Sequence, residues 1–231
     1  MDQKIVVLTG AGVSAESGLK TFRDANGLWE GHDVMEVASP QGFAQDPALV
    51  LDFYNQRRKQ LKTVRPNRAH EALADLERHF QVQIITQNVD NLHERAGSSQ
   101  VLHLHGELLK VRCTQNERLV LNWENDLLLG DLSENEAQLR PHIVWFGEAV
   151  PLLEKAMEIT YTADILIIIG TSMQVYPAAS LINFIRPGTP IYFIDPRPSI
   201  AASNYTNLTI IEETAATGVP ILVADLIDTR P

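Results

Sequence analysis

Six short runs of β-branched and other apolar residues punctuate the chain: KIVVLTG (4–10), VQIITQN (82–88), VLHLHG (101–106), DILIIIG (164–170), PIYFID (190–195) and NLTII (207–211). Most lack the in-out alternation of a strand with one wet face, so they read as strands buried on both sides, the hallmark of a mainly parallel sheet. Between the first two, PNRAHEALADLERHF (66–80) sets Ala69, Leu73, Leu76 and Phe80 on one helical face behind Pro66 and Asn67, a helix start. Strand, helix, strand is the rhythm of an α/β fold. A length of 231 residues suits one domain with an inserted lobe. Two stretches supply that lobe, approximately 24–65 and 107–141: the first shows helical and loop patterns without a convincing strand, the second no clear period.

The composition narrows the functions. A hydrophobic share of 45% with 21% charged residues is that of a globular protein. No apolar run approaches the roughly 18 residues of a membrane span. The formal charge of −10 argues against a general nucleic-acid binder, which needs a basic face. The amino terminus enters a strand at once, without the pattern of a signal or transit peptide, and the single cysteine, Cys113, suits a reducing compartment. The expected location is the cytoplasm.

The first strand runs into Gly10, Gly12 and Ala15, a G-x-G-x-x-[G/A] arrangement that lets backbone approach a pyrophosphate at a helix amino terminus. Alone it is a weak signal, equally a tight turn, and the acidic residue usual about twenty positions on is missing. A late counterpart is Asp195, placed after a glycine-ended strand, a helix and another strand, where a carboxylate can accept from ribose hydroxyls or merely start a loop. Thr171 and Ser172 beside Gly170 are cofactor donors or helix caps.

Four segments, GAGVSAESGLKTFRD (10–24), TQNVDNLHERAG (86–97), LHG (104–106) and GTSMQVYPAA (170–179), together resemble the sirtuin family of NAD-dependent protein deacylases, and PHIVWFGE (141–148) resembles its substrate-pairing segment. The resemblance implies a Rossmann-like NAD-binding domain with a smaller inserted lobe, a zinc-ribbon remnant plus a helical module. It further implies that Gly10, Ala11, Gly12, Ser14, Phe22, Arg23, Gly170, Thr171, Ser172, Asp195 and Ala216 contact the cofactor. Gln87, Asn88 and Asp90 line its ribose and nicotinamide pocket, with Val89 offering backbone. Of the two histidines in LHLHG, His105 is the implied catalytic base, acting with Asn88 and Asp90; His103 points the other way along an extended strand and reads as structural. Histidine suits a base near neutral pH, its ordinary pKa being about 6.5. Without the resemblance, QNVDNLH also reads as a helix start capped by Asp90 or Asn91. Val144, Phe146 and Gly147 would offer backbone to an acylated-lysine peptide.

Many members of that family hold zinc with two Cys pairs, whereas Cys113 stands alone here, and one thiolate cannot build a Cys₄ site. No zinc is expected; Leu119, Leu121, Trp123 and Leu127 to Leu129 would form an apolar cluster in its place. A charge at Asp195 repels a 2′-phosphate, favouring NAD over NADP. In PALVLDFYNQRRKQL, Leu49, Val50, Phe53, Tyr54 and Leu61 share a helical face with Arg57, while Arg58 and Lys59 point away. Tyr54 and Arg57 also match the Tyr-x-x-Arg pair of sirtuins that remove succinyl, malonyl or glutaryl groups, and Ala38 matches the small residue that widens their acyl pocket. The alternative for Arg57 is an internal ion pair or a snorkelled surface arginine. The implied activity is deacylation of lysines in proteins by a monomer. Its rivals are ADP-ribosyl transfer or NAD hydrolysis at the same site, and a non-catalytic NAD or ADP-ribose sensor.

Overall fold

The computed structural model describes residues 3–20, 28–29, 31–201 and 205–230. In chain order its strands are β1 (Lys4–Thr9), β2 (Leu28–Trp29), β3 (His32–Asp33), β4 (Gln81–Thr86), β5 (Val101–His103), β6 (Gly106–Cys113), β7 (Val120–Asn122), β8 (Leu139–Ile143), β9 (Ile165–Ile169), β10 (Ile191–Ile194) and β11 (Leu208–Ile211). The α-helices are α1 (Gly12–Ala15), α2 (Val34–Val37), α3 (Pro40–Gln45), α4 (Pro47–Thr63), α5 (Arg68–Leu76), α6 (Leu92–Ala96), α7 (Leu153–Tyr161) and α8 (Ala215–Asp228).

The six apolar runs become one sheet in the order β11-β10-β9-β1-β4-β5, paired in parallel throughout. Alternation is absent from β1 because both faces are covered. Ile5 and Val7 pack with Leu73 and Leu76 of α5 and Val219 and Leu222 of α8, whereas Val6 and Leu8 pack with Ala156 of α7 and with Leu181 and Ile182. The last two lie in a 3-10 helix, Ala178–Phe184, where an ordinary helix was expected. The helix predicted behind Pro66 is α5, whose Asn67 side chain accepts from the Ala69 N–H while His70 Nδ1 accepts from the Asn67 N–H. Strand order reverses between β1 and β9, so the loops at their carboxyl ends part and leave a crevice there.

The stretch that showed no period, 107–141, holds an antiparallel sheet, β7-β6-β8. Its signal is faint because β7 spans three residues and a register shift interrupts β6 against β8. Within 24–65, helices α2 to α4 match the expectation, but β2 and β3 form a two-residue antiparallel pair that the sequence reading did not find. Residues of both stretches meet in one apolar cluster, with Val37, Phe53 and Tyr54 against Leu108 and, just beyond the second stretch, Ile143 and Trp145.

Two side-chain expectations need correction. Arg58 does not point away: it is almost wholly buried, its Nε donating to the Leu108 carbonyl at 3.1 Å and its Nη1 to Asn55 Oδ1 at 2.6 Å. Helix α4 is covered on more than one side, so its apolar stripe alone does not mark its buried surface; Lys59 is exposed and pairs with Asp126. In the small sheet, Leu127, Leu119 and Trp123 join Cys113, Val111 and Leu139 in a core, but Leu121, Leu128 and Leu129 are exposed. Three successive leucines in a turn cannot all face one core.

Candidate active site

A cleft of about 800 Å³ runs from the carboxyl ends of β1, β4, β9 and β10 to α4 and the loop after β8. Its floor is backbone. Gly12 N–H donates to the Gly170 carbonyl at 2.8 Å, and a Cβ on Gly12 would stand 2.6 Å from the Gly170 Cα, so the turns after β1 and β9 touch only because both lack side chains. Gly10, Ala11, Gly12, Ser14, Gly170, Thr171, Ser172 and Asp195 all line it. Such a backbone-lined turn at the strand-order reversal fits a dinucleotide pyrophosphate. Phe22 and Arg23 lie outside the described residues.

The loop after β4 crosses this floor. Gln87 donates through Nε2 to Thr171 Oγ1 at 3.1 Å, tying the β4 and β9 loops together. Asn88 donates through Nδ2 to Ser14 Oγ at 3.2 Å, and Ser14 donates in turn to Asp90 Oδ2 at 3.0 Å. The other oxygen of Asp90 accepts from the Leu92 N–H. Asp90 is thus both a site residue and the anchor of α6, while Asn91 gives no side-chain cap. Burial raises the Asp90 pKa, opposed by its bonds to Leu92 and Ser14. Val89 lines the cleft and its carbonyl accepts from the Leu108 N–H.

His105 follows β5 and lines the same cleft. Its Nδ1 lies 3.0 Å from the Gln87 carbonyl oxygen. A carbonyl only accepts, so Nδ1 carries a proton, and in the neutral ring Nε2 keeps the lone pair. Burial lowers the His105 pKa, against the raising effect of the Gln87 bond, so the base form persists at neutral pH. His103 is buried on the other side as expected: Nδ1 bonds the Asn88 carbonyl at 2.9 Å and Nε2 the Glu94 carboxylate at 2.7 Å. Burial pulls its pKa down, but the Glu94 bond and charge outweigh this and leave it raised. His103 therefore holds the Asn88 backbone from behind.

At the far end, Ala38, Tyr54 and Arg57 line the cleft together. Arg57 lies over the Phe53 ring at 4.6 Å and is half-buried. Val144, Phe146 and Gly147 also line it, but the Val144 N–H donates to the His105 carbonyl and the Phe146 N–H to the Ala38 carbonyl. That leaves the Val144 carbonyl and Gly147 as what this segment can offer an extended peptide.

Ala216, expected at the cofactor, does not line the cleft, which Thr214 and Ala215 reach instead. The Ala216 N–H at the α8 amino terminus is taken by Glu16 Oε2 at 2.8 Å, while Glu16 Oε1 accepts from Thr214 Oγ1. Glu16 lines the cleft and was not singled out from sequence, where a carboxylate after a glycine turn looks like any exposed acid. A second omission is Glu148, whose carboxylate accepts from Arg112, Arg140 and the Trp145 N–H. Burial would raise its pKa, but Arg140 and Arg112 hold it below the usual carboxylate value. The adjacent WFG was the only sequence signal for it. Among the described residues no cluster of three His, Cys, Asp or Glu side chains could hold a metal ion. No helix among them is long and apolar enough to cross a membrane.

The profile of the Sir2 family matches residues 10–177. An NAD-dependent protein deacylase of Helicobacter pylori is 60% identical over 226 residues, covering 98% of this chain and 98% of the relative. A Sir2 homologue solved in complex with NAD superimposes with a TM-score of 0.88 at 40% identity, over 98% of this chain and 90% of the other. A Sir2 protein bound to an acetylated peptide gives a TM-score of 0.78 at 26% identity, over 98% and 93%. With the parallel sheet, the glycine turns and the His105 loop all in place, the chain belongs to the Sir2, or sirtuin, family.

Proposed function

We propose that the chain is an NAD-dependent protein lysine deacylase that removes acetyl groups and, by way of Tyr54 and Arg57, succinyl or malonyl groups. The observation that carries this reading is His105, its Nδ1 committed to the Gln87 carbonyl and its ring facing the cleft that the glycine turns floor. The dinucleotide, when bound, would supply an activated ribose that accepts the acyl group, one water being consumed, to give nicotinamide, free lysine and 2′-O-acyl-ADP-ribose. His105 Nε2 takes the proton of a ribose hydroxyl. Gln87, Asn88 and Asp90 position ribose and nicotinamide, and Ser14 orders Asn88 and Asp90. The Val144 carbonyl, with Gly147, pairs with peptide backbone.

At the acyl end a planar guanidinium matches a carboxylate in two-pronged fashion, and the phenol adds a donor. Asp195 favours NAD over NADP by repelling a 2′-phosphate. The whole chain is read as one deacylase domain, with 24–65 and 107–141 as its small lobe, its apolar core standing in for a zinc site. It works as a monomer in the cytoplasm, on proteins and not on nucleic acid. Incubating the protein with NAD and a panel of acetyl-, succinyl- and malonyl-lysine peptides, with products identified by mass spectrometry, tests this. Acyl-ADP-ribose formed in step with free lysine is the expected result. Nicotinamide release without an acyl peptide, or ADP-ribose attached to protein, would replace it with NAD cleavage or ADP-ribosyl transfer.

A further inference from the structure

At the inner end of the cleft, the buried Trp145 donates its indole Nε1–H to Tyr54 Oη at 2.9 Å. Indole nitrogen can only donate, so the phenolic oxygen must accept in this contact. Tyr54 keeps one proton of its own, and among the described residues no hydrogen bond from it to a protein acceptor occurs. Burial pushes the phenol pKa well above its ordinary value, so the group stays a neutral donor.

The indole cannot easily turn away. The Arg140 guanidinium carbon lies 3.4 Å from the Trp145 ring, and the Phe43 ring packs against it at 5.3 Å. The Trp145 backbone N–H is fixed to Glu148 Oε2 at 2.8 Å, and Glu148 is gripped by Arg140 and Arg112. Two guanidiniums against one carboxylate also leave positive charge beside the phenol.

We propose that Trp145 is a positioning residue for acyl-group selection: by filling the acceptor side of Tyr54 Oη, its indole N–H commits the phenolic proton to a carboxylate at the end of the acyl chain. This rests on the acidic-acyl reading of Tyr54 and Arg57 given above. Arg140 and Glu148 act one step further back, by holding the indole. An acetyl group has no terminal acceptor to meet that proton, so the arrangement discriminates between acyl classes without altering the base.

The test is a double-mutant cycle of Trp145→Phe and Tyr54→Phe, reading kcat/KM for succinyl- and acetyl-lysine peptides of one sequence at saturating NAD. Trp145→Phe keeps an aromatic ring while removing the N–H donor together with part of the buried indole, and the Tyr54→Phe background separates the hydrogen bond from the lost packing. Alone, Trp145→Phe should lower the succinyl-to-acetyl ratio about three- to tenfold, as expected for one neutral hydrogen bond, chiefly through KM. In the Tyr54→Phe background it should change the ratio less than about twofold, the two groups acting as one unit. Equal losses on both peptides, or an undiminished effect without the Tyr54 hydroxyl, would overturn the proposal while leaving the acidic-acyl reading standing. A ratio that none of Tyr54→Phe, Arg57→Met and Trp145→Phe alters would overturn both. Should Trp145→Phe not fold, ¹⁵N-indole spectra serve instead, the chain having three tryptophans. Tyr54→Phe should shift one indole N–H resonance and speed its exchange with solvent, and three unmoved resonances would sink the idea.

Discussion

The Ser14 hydroxyl lies 3.0 Å from Asp90 Oδ2, joining the turn after β1 to the loop after β4 across 76 residues of sequence. Removing it in Ser14→Ala leaves a buried carboxylate oxygen without its donor and frees the Asn88 amide. The cost should be about 1–3 kcal/mol of stability, seen by calorimetry. Because Asn88 and Asp90 are proposed to position the ribose and nicotinamide, kcat/KM should fall at least about tenfold, more than one lost hydrogen bond to substrate would give. A lowered melting temperature with unchanged kcat/KM would make Ser14 purely structural.

The pH–rate profile follows from His105. In the proposed reaction its neutral form is the base, and burial lowers its pKa. Activity is therefore present above that lowered value and lost as pH falls through it. The acid limb of kcat/KM should lie below the ordinary histidine value of about 6.5. A limb centred higher would assign the titration to another group.

Arg57→Met should cost desuccinylation at least about tenfold in kcat/KM, since a hydrogen bond to a charged group contributes roughly 1.5–3 kcal/mol. Deacetylation by the same variant should stay within about twofold, because an acetyl group offers the guanidinium no carboxylate. Equal losses on the two peptides would return Arg57 to a packing role over Phe53.

Stability toward acid should depend on His70, which is fully buried and whose pKa burial lowers to about 4. Between that value and the ordinary one of about 6.5 the unfolded chain binds more protons, so stability is complete above the window and declines as pH falls through it. His70→Gln retains an acceptor for the Asn67 N–H but cannot charge. Its melting temperature should fall less steeply between pH 7 and 4 than that of the unchanged protein, the remaining slope coming from other buried histidines such as His93.

The small lobe should prove indifferent to chelators. Cys113 is buried among Val111, Leu127, Ala137 and Leu139, and its sulfur accepts from Ser133. EDTA should shift the melting temperature by less than about 1 °C, and metal analysis should find zinc far below one ion per chain; a structural zinc site would contribute its binding energy to folding and unfold on chelation. Loss of the transition with EDTA would contradict the apolar-core reading.

The parallel sheet was legible because burial on both faces leaves continuous apolar runs, and β1 with α5 shows this residue by residue. The glycine turn, the QNVD loop and His105, which line one cleft, were legible as local motifs, since backbone turns and the residues that follow them are written contiguously. The antiparallel sheet of β6 to β8 was not: short strands with a register shift carry almost no period. Arg58 reads as a surface cation on any helical wheel, and it is Leu108 of β6 and the 125–127 loop, folded back on α4, that bury it.

Sequence by itself thus determined the sheet, the family pattern and the identity of the candidate base, all of which follow from neighbours within a few positions. Tertiary structure alone decided that Nδ1 of His105 is the protonated nitrogen, that Glu16 takes the α8 terminus, and that Trp145 bonds Tyr54 across 91 residues. Hydrogen bonds between distant segments depend on where the chain brings their atoms, and no local pattern encodes that distance.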